Sequence, residues 1–297
     1  MTTFLHLLLC KRRRFSAARA LLIALMGTAF LYPVVLRANQ LHVASDIAPV
    51  YSLVSMVAGN TVKQSLLLDP RQSPHHAALK PSQVKAMKNA DLLFAVSQHF
   101  SPALTRYLHT LPDTANVVFL DQINFGEKQD PHTWMNPANV IRWLNTISDS
   151  LTETDPDNAA VYASNKEDAV QKITQLHAEL RMQLEPVKQK PFMVYHDAYH
   201  HFASGFDLAK PIAITLSDAR APGAATIAQM RAKVNKVSCV FSEALHDDAI
   251  VDTVTDSMAI KRGILDPLGS TLPVDEHLYV NVMINLVNAV SNCLADN

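Results

Sequence analysis

The chain has 297 residues, 48% of them hydrophobic and 18% charged, with a formal net charge of −1. That is the composition of a packed globular protein of one large or two medium domains, and it excludes an extensively disordered chain. The absence of a strong basic excess also argues against a nucleic-acid binder.

The first residues differ from the rest. Lys11, Arg12, Arg13, Arg14 and Arg19 precede an apolar segment, residues 20–35, and Leu36-Arg37-Ala38 offers a small residue for cleavage. Residues 1–38 are therefore expected to be a secretory signal peptide. The competing reading, a membrane anchor, is disfavoured because the apolar segment has 16 residues, short of the roughly 20 that span a bilayer, and Pro33 interrupts it. Arg12-Arg13-Arg14-Phe15 leaves both the general and the twin-arginine export routes open. Cys10 lies before the apolar segment, so it is not placed to become a lipidated first residue. Removing the six Lys/Arg of residues 1–38 leaves 20 basic against 27 acidic residues, a net charge of −7.

From Leu41 onward short apolar runs (LHVAS, VKQSLLL, ADLLFAVS, NVVFLD) alternate with helical patterns, which predicts βα units and largely parallel sheets. Asn136-Pro137 reads as a helix start, with Val140, Leu144, Ile147 and Leu151 on one buried face. Asp155-Pro156 starts a second helix, carrying Val170, Ile173, Leu176, Leu180 and Leu184 as a stripe; about 29 residues would reach roughly 43 Å. The βα alternation resumes after Pro191 with PFMVYH, PIAITLS, VSCVFSE and AIKRGILDPLG, and residues 276–295 close the chain as a helix. The expected fold is α/β: an N-terminal lobe at residues 39–154, a linker helix at 155–186 and a C-terminal lobe at 187–297. No internal repeat stands out in the sequence.

Only seven glycines occur, and none forms a nucleotide-binding or nucleophile-elbow motif. In open α/β sheets ligands gather outside the carboxyl ends of the strands. The positions just past the apolar runs hold His75 and His76, then Asp130-Pro-His132, then His196-Asp197, then Asp266-Pro-Leu-Gly269. Imidazoles and a carboxylate together suit zinc, and two donors from each half would put the ion in a cleft between lobes. The exported chain retains Cys239 and Cys293, which an oxidising compartment is expected to join, stabilising the fold by about 4 kcal/mol on the chain-entropy account. Two separate buried thiols are the alternative. Trp134 and Trp143 read as core or lobe-packing aromatics.

The segments SPHHAALKPSQVKAMKNADLLFAV, DPHTWMNP, VYHDAYHHF and ILDPLG, in this order, resemble the metal-specific solute-binding proteins of ABC transporters, most closely the zinc-specific ZnuA type. The resemblance covers nearly all of the chain after the signal. It implies two α/β lobes joined by a rigid long helix, one Zn2+ between them, and a periplasmic protein that acts as a monomer and delivers the ion to a membrane permease. It also implies His75, His132, His196 and Asp266 as the ligands; Leu79-Lys80-Pro81 selects His75 over His76. Cys239 and Cys293 match a disulfide of Gram-negative zinc binders. Manganese-binding relatives carry a carboxylate where His196 stands, and three imidazoles favour zinc by ligand type. Because histidine coordinates only when neutral, affinity is expected to weaken as pH falls through the histidine range.

This chain departs from the resemblance in places. Residues 124–129 are short and hold no histidine, where zinc-specific relatives often carry a long histidine-rich loop. His76, His200, His201 and His246, with Asp247 and Asp248, are either a substitute secondary metal site or ordinary surface residues. Pro222-Gly223 is retained, but residues 216–220 depart from the usual neighbouring pattern. Glu243 either orients a ligand from behind or forms a structural ion pair. The alternatives to zinc capture are a manganese or iron binder of the same family and a secreted zinc hydrolase. Four protein ligands would close the position that catalytic zinc keeps for water, and no H-E-x-x-H helix occurs, so no enzymatic activity is expected.

Overall fold

Two four-stranded, wholly parallel sheets organise the computed structural model, which describes residues 40–98, 100–112, 115–121, 130–216 and 221–295. The expected signal peptide, residues 124–129 and residues 217–220 of the departing rim lie outside the described residues. The first sheet holds β1 (His42–Ser45), β2 (Lys63–Leu66), β3 (Leu92–Ala95) and β4 (Val117–Phe119) in the order β2-β1-β3-β4. The second holds β5 (Phe192–His196), β6 (Ile212–Thr215), β7 (Cys239–Glu243) and β8 (Lys261–Leu265) in the order β6-β5-β7-β8. The order is the same in both. Each sheet therefore reverses its winding beside its first strand, which opens a crevice at the carboxyl edge.

The helices follow the sequence pattern. α1 (Ala48–Ala58), α2 (Pro81–Lys88) and α3 (Pro102–Leu108) connect the strands of the first sheet, each with proline in its first turn, where the missing N–H costs nothing. α4 (Pro137–Thr154) starts where Asn136 accepts a hydrogen bond from the Ala138 N–H at 3.0 Å, and buries Val140, Trp143, Leu144, Ile147 and Leu151. α5 (Ala159–Leu184) has 26 residues, a span of about 39 Å. It is shorter than the sequence pattern suggested, because the proline-bearing stretches Pro156–Asn158 and Glu185–Val187 wind as 3-10 turns. Ala169 rather than Val170 is fully buried on its stripe.

α6 (His200–Gly205), α7 (Ala224–Val234) and α8 (Ala249–Thr255) serve the second sheet, and α9 (Leu278–Leu294) closes the chain. α5 packs against α4, α1 and α9, so it is held by both halves of the chain. One continuous apolar core runs from β1 and β3 through α1, α4 and α5 to β5, β7 and α9; a smaller one lies between β5, β6 and β7 and the pair α7, α8. Cys239 and Cys293 are joined as a disulfide, Cα–Cα 5.9 Å, tying the start of β7 to the end of α9. Trp134 and Trp143 are both buried. Among the described residues no helix is long and apolar enough to cross a membrane.

The carboxyl edge of the first sheet is braced by Asp46, directly after β1. Its carboxylate accepts from the Ile47 and Val96 N–H groups, each at 2.7 Å, and complete burial pushes its pKa up to about 7. This links the ends of β1 and β3 and fixes the edge from which the site is built.

Candidate metal centre

His75, His132 and His196 come together although 121 positions separate the first from the last. Their ligand atoms lie within 4.8 Å of one another. His75 sits half-exposed in the connection after β2, His132 follows β4 just before a 3-10 turn (Thr133–Met135), and His196 is the last residue of β5. His132 and His196 are 6% and 4% exposed.

Two carboxylates fix the rings. Asp130 Oδ1 accepts from both the backbone N–H and the Nδ1–H of His132, at 3.0 and 2.7 Å. Glu243, the last residue of β7, accepts from His196 Nδ1–H at 2.6 Å. A carboxylate accepts here, so in both rings Nδ1 carries a proton, and in the neutral ring Nε2 is the nitrogen left with a lone pair. Those Nε2 atoms face each other at 3.4 Å, and His75 Nε2 lies 3.2 Å from His132 Nε2. Burial alone would raise the pKa of Asp130, but its hydrogen bonds from the His132 ring and backbone hold it below its ordinary value. Burial, then the nearby Glu243 and Asp266 carboxylates, pushes the Tyr199 hydroxyl well above its usual range.

Asp266, immediately past β8, lines the same small cavity as the three imidazoles, but its oxygens turn to its own loop. Oδ1 accepts from the Leu268 and Gly269 N–H groups at 3.2 and 2.9 Å; Oδ2 accepts from the Ser270 N–H and Oγ–H at 2.7 and 2.8 Å. Glu243 and His246 also line this cavity, whose free volume is about 20 Å³. A groove of about 560 Å³ between α1, α5 and residues 274–276 is far larger, yet no imidazole lines it.

The four other candidate histidines stand outside the cluster of three. His76 is exposed; His200 pairs with Asp197 at 2.6 Å. His201, whose pKa is lowered chiefly by burial, donates Nε2–H to the Asp130 carbonyl at 3.0 Å. His246 stacks on Tyr195 with ring centroids 4.8 Å apart and brings Nε2 to 3.6 Å from the second Glu243 oxygen. Among the described residues only His75, His132 and His196 form a cluster of three or more metal-binding groups.

Two supporting contacts escaped the sequence reading. Asp130 stands two positions before His132, a spacing at which a short acidic side chain folds back on the backbone and ring, so it was legible in Asp130-Pro-His132. Trp134 donates its indole N–H to the Pro267 carbonyl at 2.9 Å and receives the Tyr279 hydroxyl on its own carbonyl at 3.0 Å, which ties the His132 segment to the Asp266 loop. Nothing in the sequence signalled that partner.

Paired parallel sheets, a bridging helix and a histidine cluster at facing strand ends define a two-lobed α/β protein built around a metal-type centre. The chain belongs to the ZnuA family, described as zinc-uptake complex component A, periplasmic, which matches residues 43–293. The high-affinity zinc uptake system protein ZnuA of Paracoccus denitrificans is 31% identical over 318 residues, covering 92% of this chain and 97% of that protein. The protein of the same name from Brucella suis is 30% identical over 305 residues, covering 85% and 91%. In fold, the chain is similar to a zinc-bound ZnuA deletion mutant (TM-score 0.76, 23% identity, covering 87% of this chain and all of that one). It is equally similar to a manganese-bound periplasmic metal binding protein from Candidatus Liberibacter asiaticus (TM-score 0.76, 20% identity, 86% and 100%).

Proposed function

We propose that this protein captures Zn2+ in the periplasm, holds one ion between His75, His132, His196 and Asp266, and passes it as a monomer to the permease of an ABC transporter. The carrying observation is the pair of Nε2 lone pairs that His132 and His196 turn towards each other, with both Nδ1 protons committed to carboxylates. Two such lone pairs repel unless a proton or a metal cation lies between them. In a zinc tetrahedron with Zn–N bonds of 2.0–2.1 Å, neighbouring nitrogens lie about 3.4 Å apart; the distances here are 3.2 and 3.4 Å.

Asp266 supplies the fourth ligand by exchanging its Ser270 hydroxyl bond for the ion, the one donor of the four that rotates freely. Asp130 and Glu243 act from behind, orienting His132 and His196 and raising their basicity. The contacts of His200, His201 and His246 with Asp197, Asp130 and Glu243 favour structural roles over a second metal site. The fold does not choose the metal, because zinc- and manganese-bound relatives share it; the three imidazoles favour zinc over manganese. A non-enzymatic role is supported by the cavity, which has room for an ion or a water where small-molecule sites run to about 300–1,000 Å³. Residues 1–38 are read as the signal that exports the chain and is then removed.

The test is a titration of the metal-stripped protein without residues 1–38, zinc in competition with a chelator and manganese in parallel. One tight zinc per chain, weaker manganese, and a loss of at least about 100-fold in His196→Ala are expected. Equal manganese binding, or zinc binding indifferent to His196, contradicts the reading.

A further inference from the structure

A carboxylate offers about four lone-pair positions, two on each oxygen. In Asp266 one short stretch of chain takes all four: the Leu268 and Gly269 N–H groups on Oδ1, and the N–H and hydroxyl of Ser270 on Oδ2. Three of these donors are backbone amides set by the turn. Gly269 makes that turn possible, with φ +67 and no room for a side chain, since a Cβ there would lie 2.7 Å from Val282 Cγ2. The fourth donor differs in kind. The Ser270 hydroxyl reaches Oδ2 at 2.8 Å through a single rotatable bond, and the residue is buried, so the hydroxyl holds a strong charge-assisted bond with little competition from water.

We propose that Ser270 is a specificity-determining residue: its hydroxyl competes with the metal ion for Asp266 Oδ2 and so holds down the oxygen contribution to binding relative to that of the three imidazoles. The proposal rests on the reading that His75, His132, His196 and Asp266 hold the ion. An ion satisfied by imidazole loses little from a weakened carboxylate; an ion that depends on oxygen ligands loses more. Ser270 thus acts as a positioning residue, through Asp266, and biases the site towards zinc and against manganese. A serine that merely closed the loop would alter both affinities together.

The experiment measures zinc and manganese affinities by chelator competition in Ser270→Ala and Ser270→Gly, which remove the hydroxyl by different routes, and in Ser270→Ala combined with Asp266→Asn. Removing the hydroxyl should tighten zinc by about 10-fold, the lower end of the scale of one hydrogen bond to a charged group, and manganese by more. The ratio of zinc to manganese affinity then falls several-fold, and Asp266→Asn erases the gain. An unchanged or higher ratio, or a gain that survives Asp266→Asn, overturns the proposal. His196→Ala run alongside separates the two levels: zinc binding that ignores His196 means the site itself is misassigned. If neither hydroxyl-free variant folds, a zinc-loaded crystal structure of the unaltered protein reads the same competition. The Asp266 oxygen should meet either the ion or the Ser270 hydroxyl; one oxygen holding both overturns the proposal.

Discussion

His196 and His75 reach the same point by opposite means. His196 ends a buried strand, and its ring is set by Glu243, the last residue of the adjacent strand in the same parallel sheet. The sheet itself is the positioning device, stapled at the start of β7 by the disulfide to α9. His75 stands on the long connection between β2 and α2, half-exposed, with Phe100 edge-on at 5.2 Å. That connection is closed by surface charge: Asp69 accepts from Arg71 at 3.0 Å, lies 3.7 Å from the Lys80 ammonium, and is held at a pKa of about 2, chiefly by Arg71. A ligand on a strand end inherits the rigidity of the core, whereas one on a connection depends on weaker, screened contacts.

That contrast can be broken or sharpened by substitution. The larger effect of the two is expected at Glu243→Gln, which keeps an acceptor for His196 Nδ1–H but removes the charge behind it; zinc affinity should fall by about 10–100-fold in a chelator-competition titration. Arg71→Ala removes the main partner of Asp69 on the His75 connection, and the same titration should change by less than about threefold, because exposed ion pairs contribute roughly 0–1 kcal/mol. A larger loss at Arg71 than at Glu243 would mean that the connection, not the sheet, determines the geometry.

Much of this was legible in the sequence. The eight strands among the described residues follow the apolar runs, and proline marks the first turn of α1, α2, α3 and α4, because proline and strand hydrophobicity act locally. The positions after the strands brought the three histidines to one edge, since parallel sheets expose their carboxyl ends together. Three features were not legible, each for a physical reason. The shared strand order of the two sheets leaves no sequence repeat, because topology constrains burial and not residue identity. The wrapping of Asp266 depends on a left-handed turn at Gly269, which the glycine permits but does not require. The reach of His201 to Asp130, and of Trp134 to Pro267, depends on how the two halves face one another, and no local pattern encodes it.

The central claim is that the Nε2 atoms of His132 and His196, with that of His75, converge on a single zinc ion. X-ray absorption spectroscopy of the protein loaded with one equivalent of zinc tests it most directly. The account predicts a four-coordinate ion with three imidazole nitrogens at about 2.0–2.1 Å and one oxygen neighbour. A six-coordinate shell of oxygens, or fewer than two imidazoles, would contradict it.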